Sequence, residues 1–406
     1  MSLFSPKAEL SLVFDIGSSS VGAGLVRLAR GETAQIIYST REFFPYQEKV
    51  DPDRLFRNMI ETLKWAHQKI ISEGTARLTG TGFRHVNAKR MFYSFASPWS
   101  ITQTKTLSVK KEKPFVFTHE FLNGLLLDEE EKFKRKAIES RGRIHPEALS
   151  VIERRIIQTR LNGYDVKDPF GKTAGTADIS YFTSIVPSLV LDQTMGISHS
   201  SHTSKNVRAF AFPLIAYSCL KDIFQDESDF IYARVGGEIS DVSIVEDGTI
   251  AESASFPGGQ NPIIKKFAER TGMTATEAVS FLKLHAHGHA AESVTAKYQP
   301  ILDGLMQEWV DNFRFVLKKL QGSMFPPRKV FLFMDGDLSH FFIKALREDV
   351  SKNFRNPAVS AVSFDAALFS ADSLKPFLVW GDGVPEDSLI AVVSLFAWRV
   401  YQSKKK

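Results

Sequence analysis

The clearest pattern at the start of the chain runs from Leu10 to Phe44. Three short apolar blocks, LSLVFDIG, VGAGLVRLA and TAQIIYST, are separated by a Gly-Ser turn at 17–20 and by Arg30-Gly31-Glu32. β-Branched blocks bounded by such turns predict three strands. The period then changes. Leu55, Met59, Leu63, Ala66 and Ile70 recur at helical spacing behind Asp51-Pro52, which predicts a capped helix from Asp51 to Ser72. From about residue 86 to 168 the texture shifts again. MFYSFASPWSITQTKTLSV reads as two strands broken at Ser97-Pro98. Thr118 to Ser140 reads as a charged helix, and VIERRIIQTRLNGYDV as a strand ended by Asn162-Gly163. This block is expected to be an inserted subdomain. ADISYFTSIVP resumes an alternating strand, and GISHSSHTSKN (196–206) is expected to be a linker.

The second half repeats the layout of the first. DFIYARVGGEISDVSIVEDGTIAESASFPGG gives a strand, a small-residue turn, a strand, a glycine turn and a strand, with Asp15-Ile16-Gly17 aligning on Arg234-Val235-Gly236. Helices are predicted from Asn261 to His287 and from Leu302 to Leu320. Val330 opens a buried strand that leads through Asp335-Gly336-Asp337 into another helix, and Asp387 to Gln402 forms a last, apolar one. The expected division is a first lobe at 1–85, the insertion at 86–168, a return to the first lobe at 169–204, a second lobe at 205–378, and a closing helix with a basic tail at 379–406. The fold class is α/β with two duplicated lobes.

A length of 406 residues suits two lobes better than one core. The net charge of +5 is a mild bias, and the basic run Lys132 to Lys136 sits among acids, the pattern of a solvated helix face, so no nucleic-acid partner is expected. The single cysteine, Cys219, excludes an internal disulfide and a multi-cysteine zinc site, and fits a reducing compartment. The N-terminus has no signal-peptide core, and the apolar run Leu389 to Trp398 falls short of the ~20 residues of a membrane span, so a cytoplasmic protein is expected. FGKTAG from Phe170 lacks the earlier glycine of a P-loop, since Val166 stands there, and Gly22-Ala23-Gly24 lies inside a strand. His285, His287 and His289 read as a polar helix end, and His199 and His202 as loop residues.

The duplicated turn carries the candidate chemistry. A tight turn of small residues points backbone N–H groups into one concavity, which binds anions, and two such turns can grip one phosphate chain. Gly17 allows the tight backbone, Ser18, Ser19 and Ser20 add hydroxyls, and Asp15 offers a carboxylate for waters around Mg²⁺.

DIGSSSVGAGLV resembles the first phosphate motif of the actin/Hsp70 superfamily, and ARVGGEISDVSIV the second. Within that superfamily the chain is similar to the FtsA/PilM branch, with further likeness in LNGYDVKDPFGKTA, FPGGQNPIIKKFAERTGMTATEAVSFLK and VPEDSLIAVVSLFAW. The resemblance implies an actin-like ATPase fold of two ribonuclease H-like lobes with a small α+β insertion. It implies ATP between the lobes, held by Asp15, Gly17, Ser18, Ser19, Ser20, Arg234, Gly236, Gly237, Glu238, Asp241, Lys283 and Gly336, with Asp15 reaching Mg²⁺ through waters. It further implies a scaffold at the inner face of the cell membrane, in pilus assembly or cell division. The partner would be a short cytosolic peptide of a membrane protein or a tubulin-like division protein, and head-to-tail contacts would allow filaments.

Several positions depart from that pattern. Arg234 replaces the acid that orders metal-bound water, Ile239 and Ser240 replace paired hydroxyls, two carboxylates interrupt the glycine run at Met334–Asp337, and Ser280 replaces a glutamate. Phosphoryl transfer depends on metal and positioning, so a degenerate ATPase is expected, with Arg234 pairing directly to a phosphate. An active small-molecule kinase or phosphatase of the same superfold stays open as the alternative. Two further features have two readings each. The aromatics Phe92, Tyr93, Phe95, Trp99, Phe115 and Phe117 are groove or core, with core expected for at least half. The last helix is a buried closing element or an interfacial membrane helix with a lysine tail.

Overall fold

The computed structural model of the chain describes residues 8–141, 148–200, 206–320, 326–348 and 363–403. Two sheets share one topology. In the first, β1 (Glu9–Ile16) pairs antiparallel with β2 (Ser20–Leu28), which pairs antiparallel with β3 (Ala34–Phe43). On its other side β1 pairs parallel with β4 (Ala88–Phe95), and β4 with β9 (Val207–Ala211). In the second, β10 (Phe230–Val235), β11 (Ile239–Glu246) and β12 (Thr249–Pro257) form the same meander, with β13 (Lys329–Met334) and β14 (Asp365–Leu368) parallel beyond β10. Even the register shift recurs, between Leu25 and Val26 in the first meander and between Ile244 and Val245 in the second. The short β15 (Leu378–Trp380) extends the first sheet beside β3.

A third, four-stranded sheet forms the insertion: β5 (Ile101–Val116), β6 (Leu149–Leu161), β7 (Tyr164–Asp165) and β8 (Thr173–Pro187), with the helix α2 (His119–Arg141). Its limits differ from the expected 86–168. β4 belongs to the first lobe's sheet, and β8 completes the insertion as far as Pro187. A change of local texture marks a turn, whereas pairing is decided by distant partners. Phe92, Tyr93, Phe95, Trp99 and Phe117 are all buried, and Phe115 is half-buried, so this group is core.

The helices cover the sheets. α1 (Pro52–Ala76) packs on β2 and β3 through the predicted apolar face, and Asp51 Oδ1 caps it by accepting from Arg54 N at 2.7 Å. α3 (Ser188–Ser200) occupies part of the expected linker, whose residues 201–205 lie outside those described. α4 (Phe212–Ile223) follows β9. The single helix expected over 261–287 is two, α5 (Gln260–Thr271) and α6 (Ala275–Ala286). Gly272 ends the first at φ +74°, and a Thr274–Glu277 capping box starts the second. α7 (Glu292–Leu320) begins a full ten residues before the expected Leu302 and tolerates Pro300, and α8 (Ser339–Glu348) follows β13.

α9 (Ser388–Gln402) lies between the lobes. Its residues Leu389 to Ala397 are buried, in one cluster with Val13 and Val26 of the first lobe and Phe230, Tyr232 and Phe333 of the second. An interfacial membrane helix needs a free apolar face, and this helix keeps none over that run. The lysine tail from 404 onward lies outside the described residues. Among the described residues no helix is long and apolar enough to cross a membrane.

α9 approaches β2 closely at Gly24, where a Cβ would lie 2.8 Å from Ile390 Cγ2 and 2.9 Å from Val13 Cγ2. Gly24→Ala is therefore expected to destabilise by about 1–3 kcal/mol in urea unfolding. Combined with Ile390→Ala it should cost less than the sum of the two single changes, because the second removes one of the two clashes of the first and leaves that with Val13. Strict additivity would show that the contact is not tight.

Candidate functional site

The two hairpin turns have the same internal geometry. Gly17 N donates to Ser20 O at 3.0 Å, and Gly236 N donates to Ile239 O at 3.0 Å. The turns touch each other. Glu238 N donates to Ser18 Oγ at 3.0 Å, and a Cβ on Gly237 would fall 2.1 Å from Ser19 Cβ. Only glycine permits this approach. Behind the second turn, the start of α5 satisfies its first donors on the turn's carbonyls, Gln260 N to Gly236 O at 3.0 Å and Asn261 N to Gly237 O at 2.8 Å.

Beneath the contact lies a buried ion network. Arg234 on β10 grips Asp15 on β1 with both Nη atoms, at 2.6 and 2.9 Å, and the two side chains are 3% and 0% exposed. They occupy equivalent hairpin positions, 219 residues apart. Arg41 on β3 adds a third contact to Asp15 Oδ2 at 3.2 Å. It also donates to Asp387 through Nε at 2.6 Å and Nη2 at 3.0 Å, and to Ser20 Oγ at 2.9 Å. Ser20 in turn donates to the Asp335 carboxylate, which lies 3.5 Å from Arg41. Asp387 caps α9 by accepting from Leu389 N and Ile390 N at 3.0 and 2.9 Å. The Arg234 guanidinium also rests over the Phe212 ring, 4.4 Å from its centroid. Burial alone would lower the Arg41 pKa, but Asp387 and Asp15 outweigh it and hold the guanidinium charged. Burial likewise opposes ionisation of Asp387, yet the Arg41 charge and the helix N–H groups keep its carboxyl below the ordinary range.

A cavity of about 290 Å³ adjoins the turns. Ser18, Ser19, Glu238, Lys283 and Gly336 line it, with the apolar side chains of Phe43, Phe44, Pro45, Val50, Ile264 and Val279. Lys283 is the one cation among the lining residues, and it pairs with Asp337 at 3.1 Å. Glu238 accepts from Asn261 Nδ2 at 2.7 Å, and burial raises its pKa. Gln260 Nε2 holds the glycine loop by donating to Asp335 O at 2.7 Å and Oδ1 at 3.0 Å.

The expected residues thus fall into three places. Ser18, Ser19, Glu238, Lys283 and Gly336 share the cavity, while Asp15, Gly17, Ser20, Arg234, Gly236 and Gly237 form the closed junction beneath it. Asp241 stands apart, accepting from Ser255 Oγ at 2.7 Å and Ser97 N at 3.3 Å. The geometry departs from two expectations. Arg234 pairs with Asp15 and not with an open phosphate position, because a buried guanidinium takes the nearest carboxylate. Asp15 has both oxygens committed and no exposure, so it offers nothing to waters around a metal. The residues present do not fit a hydrated Mg²⁺ with its triphosphate between the hairpins. One turn N–H is spent on Ser18, and the cavity beside them carries the carboxylates of Glu238, Asp335 and Asp337. Among the described residues no group of three His, Cys, Asp or Glu side chains is arranged to hold a metal.

Sequence reasoning passed over Arg41, Gln260 and Asn261, and gave Asp387 no role beyond opening the last helix. Asp387 had a signal, an acid ahead of an apolar helical run. Arg41 had none, since a cation near the end of a strand normally faces solvent.

Two lobes that share a five-stranded topology, extended by β15 in the first, and that meet at paired hairpins with an insertion in the first lobe, define the actin-like ATPase fold. The chain has that fold. No family model matches the sequence, and no curated protein does. Among solved structures it is similar to the PilM-PilN type IV pilus biogenesis complex, with a TM-score of 0.54 at 11% identity over 96% of each chain. Two others are the ethanolamine utilization protein EutJ of Carboxydothermus hydrogenoformans (TM-score 0.45, 9% identity, 98% of this chain and 91% of that one) and a Bacteroides thetaiotaomicron protein of actin-like ATPase fold and unknown function (TM-score 0.38, 12% identity, 97% and 99%).

The lowered pKa of Asp387 has a pH consequence. A carboxylate held below its unfolded value near 3.9 contributes stability at higher pH, and loses it as pH falls through the folded pKa. The urea midpoint is therefore expected to drop below about pH 4. Asp387→Asn, which keeps the capping oxygen, should start lower and decline less steeply. Parallel acid limbs for the two proteins would contradict this role.

Proposed function

We propose that the chain is a scaffold of the PilM kind, in which the actin-like frame is kept and nucleotide turnover is lost. The carrying observation is the Asp15–Arg234 pair. The position from which a metal-ordering acid would act is filled by a cation, and that cation consumes the acid of the other hairpin. Phosphoryl transfer in such a cleft depends on metal to neutralise developing charge, so the same pair disfavours the kinase or phosphatase alternative. Likeness in fold to the PilM-PilN type IV pilus biogenesis complex, over 96% of both chains, supports the pilus-type role. We further propose, from the sequence's resemblance to the FtsA/PilM branch, that the partner is a short cytosolic segment of a membrane protein that docks on the inserted subdomain and draws this protein to the inner face of the membrane.

Two measurements test the reading. Phosphate release by the purified chain in Mg-ATP is expected to match the buffer blank, with or without small-molecule acceptors, and sustained turnover would refute it. For the partner, a photo-crosslinking residue is placed at exposed Leu127 or Tyr164 of the insertion, or at exposed Leu284 of the second lobe. Adducts with a membrane protein are expected from the first two positions. Adducts from Leu284 alone would move the docking face to the second lobe and defeat the proposal.

A further inference from the structure

A two-lobed cleft needs something to hold its halves together, and here side chains are placed to do it. We propose that a buried clasp of Arg234, Asp15 and Arg41 holds the two lobes closed without nucleotide, so that the closed form is the resting state of the protein. Three observations carry this. Arg234 belongs to the second lobe's first strand and Asp15 to the first lobe's first strand, and their fork-to-carboxylate pairing at 2.6 and 2.9 Å is buried at the junction, 3% and 0% exposed. Arg41 extends the tie to a third segment, because it binds Asp15 and also Asp387 at the start of the interlobe helix α9. The hairpin tips above the clasp are already in contact through Ser18 and Glu238, and the close approach of Gly237 to Ser19 leaves no room for a phosphate between them.

The chemistry requires the pair to stay intact. A guanidinium and a carboxylate at 3% and 0% exposure cannot separate without either meeting water or remaining buried and unpaired. Opening the lobes therefore breaks a bidentate, charge-assisted contact, and closing them restores it. In a cleft closed by ligand the equilibrium follows ligand concentration. In a cleft closed by its own side chains it does not. The proposal is separate from the scaffold reading. A catalytically silent protein that still closed only on nucleotide would defeat the clasp and leave the scaffold standing.

The test measures interlobe distance by electron–electron spin resonance on the full chain, with spin labels at Trp65→Cys on α1 and Phe315→Cys on α7. Both positions are exposed, and the native Cys219 is buried. The expected result is one narrow distance distribution, unchanged by saturating Mg-ATP, Mg-ADP or EDTA. Arg234→Met in the same labelled chain is expected to broaden and lengthen it, and to speed amide exchange in both 15–20 and 234–241. Arg234→Lys keeps the charge but loses the fork, so it should fold and give an intermediate broadening even where the methionine variant fails to fold. The proposal is overturned if Mg-ATP narrows or shortens the distribution of the unmodified clasp, or if the lysine variant is indistinguishable from it.

Discussion

The contact on which the junction depends is the Asp15–Arg234 pair. Two charges at the centre of a protein are costly to desolvate, and they are tolerated only when they meet with good geometry and every remaining polar position is filled. Here both carboxylate oxygens and both terminal guanidinium nitrogens are engaged, Arg41 supplies a further donor, and Phe212 lies against the guanidinium face. Removing one partner of such a pair typically costs about 3–5 kcal/mol, since the other is left charged and buried. That magnitude is a large fraction of the whole stability of a globular protein. The pair thus constrains its neighbours. Gly17 must stay small because a Cβ there would sit 3.0 Å from Arg234 Nη2, and α9 must begin where Asp387 can serve Arg41 and cap the helix at once.

The pair also explains how a duplicated fold can lose its symmetry at one point and keep it elsewhere. Both meanders retain the same strand order, the same turn hydrogen bond and the same register shift. Equivalent positions in the two halves then face one another across the junction. Two acids there would repel unless a cation stood between them, which is the role a metal fills in phosphate chemistry. One acid and one arginine attract directly. A single change of charge at position 234 therefore converts a junction that needs a third component into one that closes on itself.

The repeat itself was legible in the sequence, because strand period and glycine turns are local signals that survive in both halves. The presence of Arg234 was equally plain. Its partner was not, because nothing local links residues 219 positions apart and the register that joins them is set by two whole sheets. Arg41 was hidden for the same reason, as a cation on a strand that looks solvated until Asp15, Asp335 and Asp387 converge on it. The break between α5 and α6 was of another kind. Gly272 followed by Thr274 and Glu277 is a written stop and start, and the apolar periodicity on both sides masked it. The grouping of β4 and β8 was not legible locally, because β4 pairs with β1 of the first sheet while β8 pairs back with β5 and β6.

The frame of the cavity and its lining are under different physical constraints. The cavity beside the hairpins persists because the frame that forms it, α5, α6 and the loop at Gly336, is also the packing of the second lobe, with Phe267, Leu282 and Leu338 in one core. Its lining has no such protection, since exposed or half-buried side chains can change at little cost to stability. Carboxylates at Glu238, Asp335 and Asp337 stand where a polyanion would need cations, and the one lysine of the lining pairs with Asp337. A lining selected for phosphate would be driven the other way, toward free cations and open N–H groups. The frame is thus fixed by its core while the lining is free to differ, and in the proposed closed state the buried pair, not a ligand, joins the hairpins.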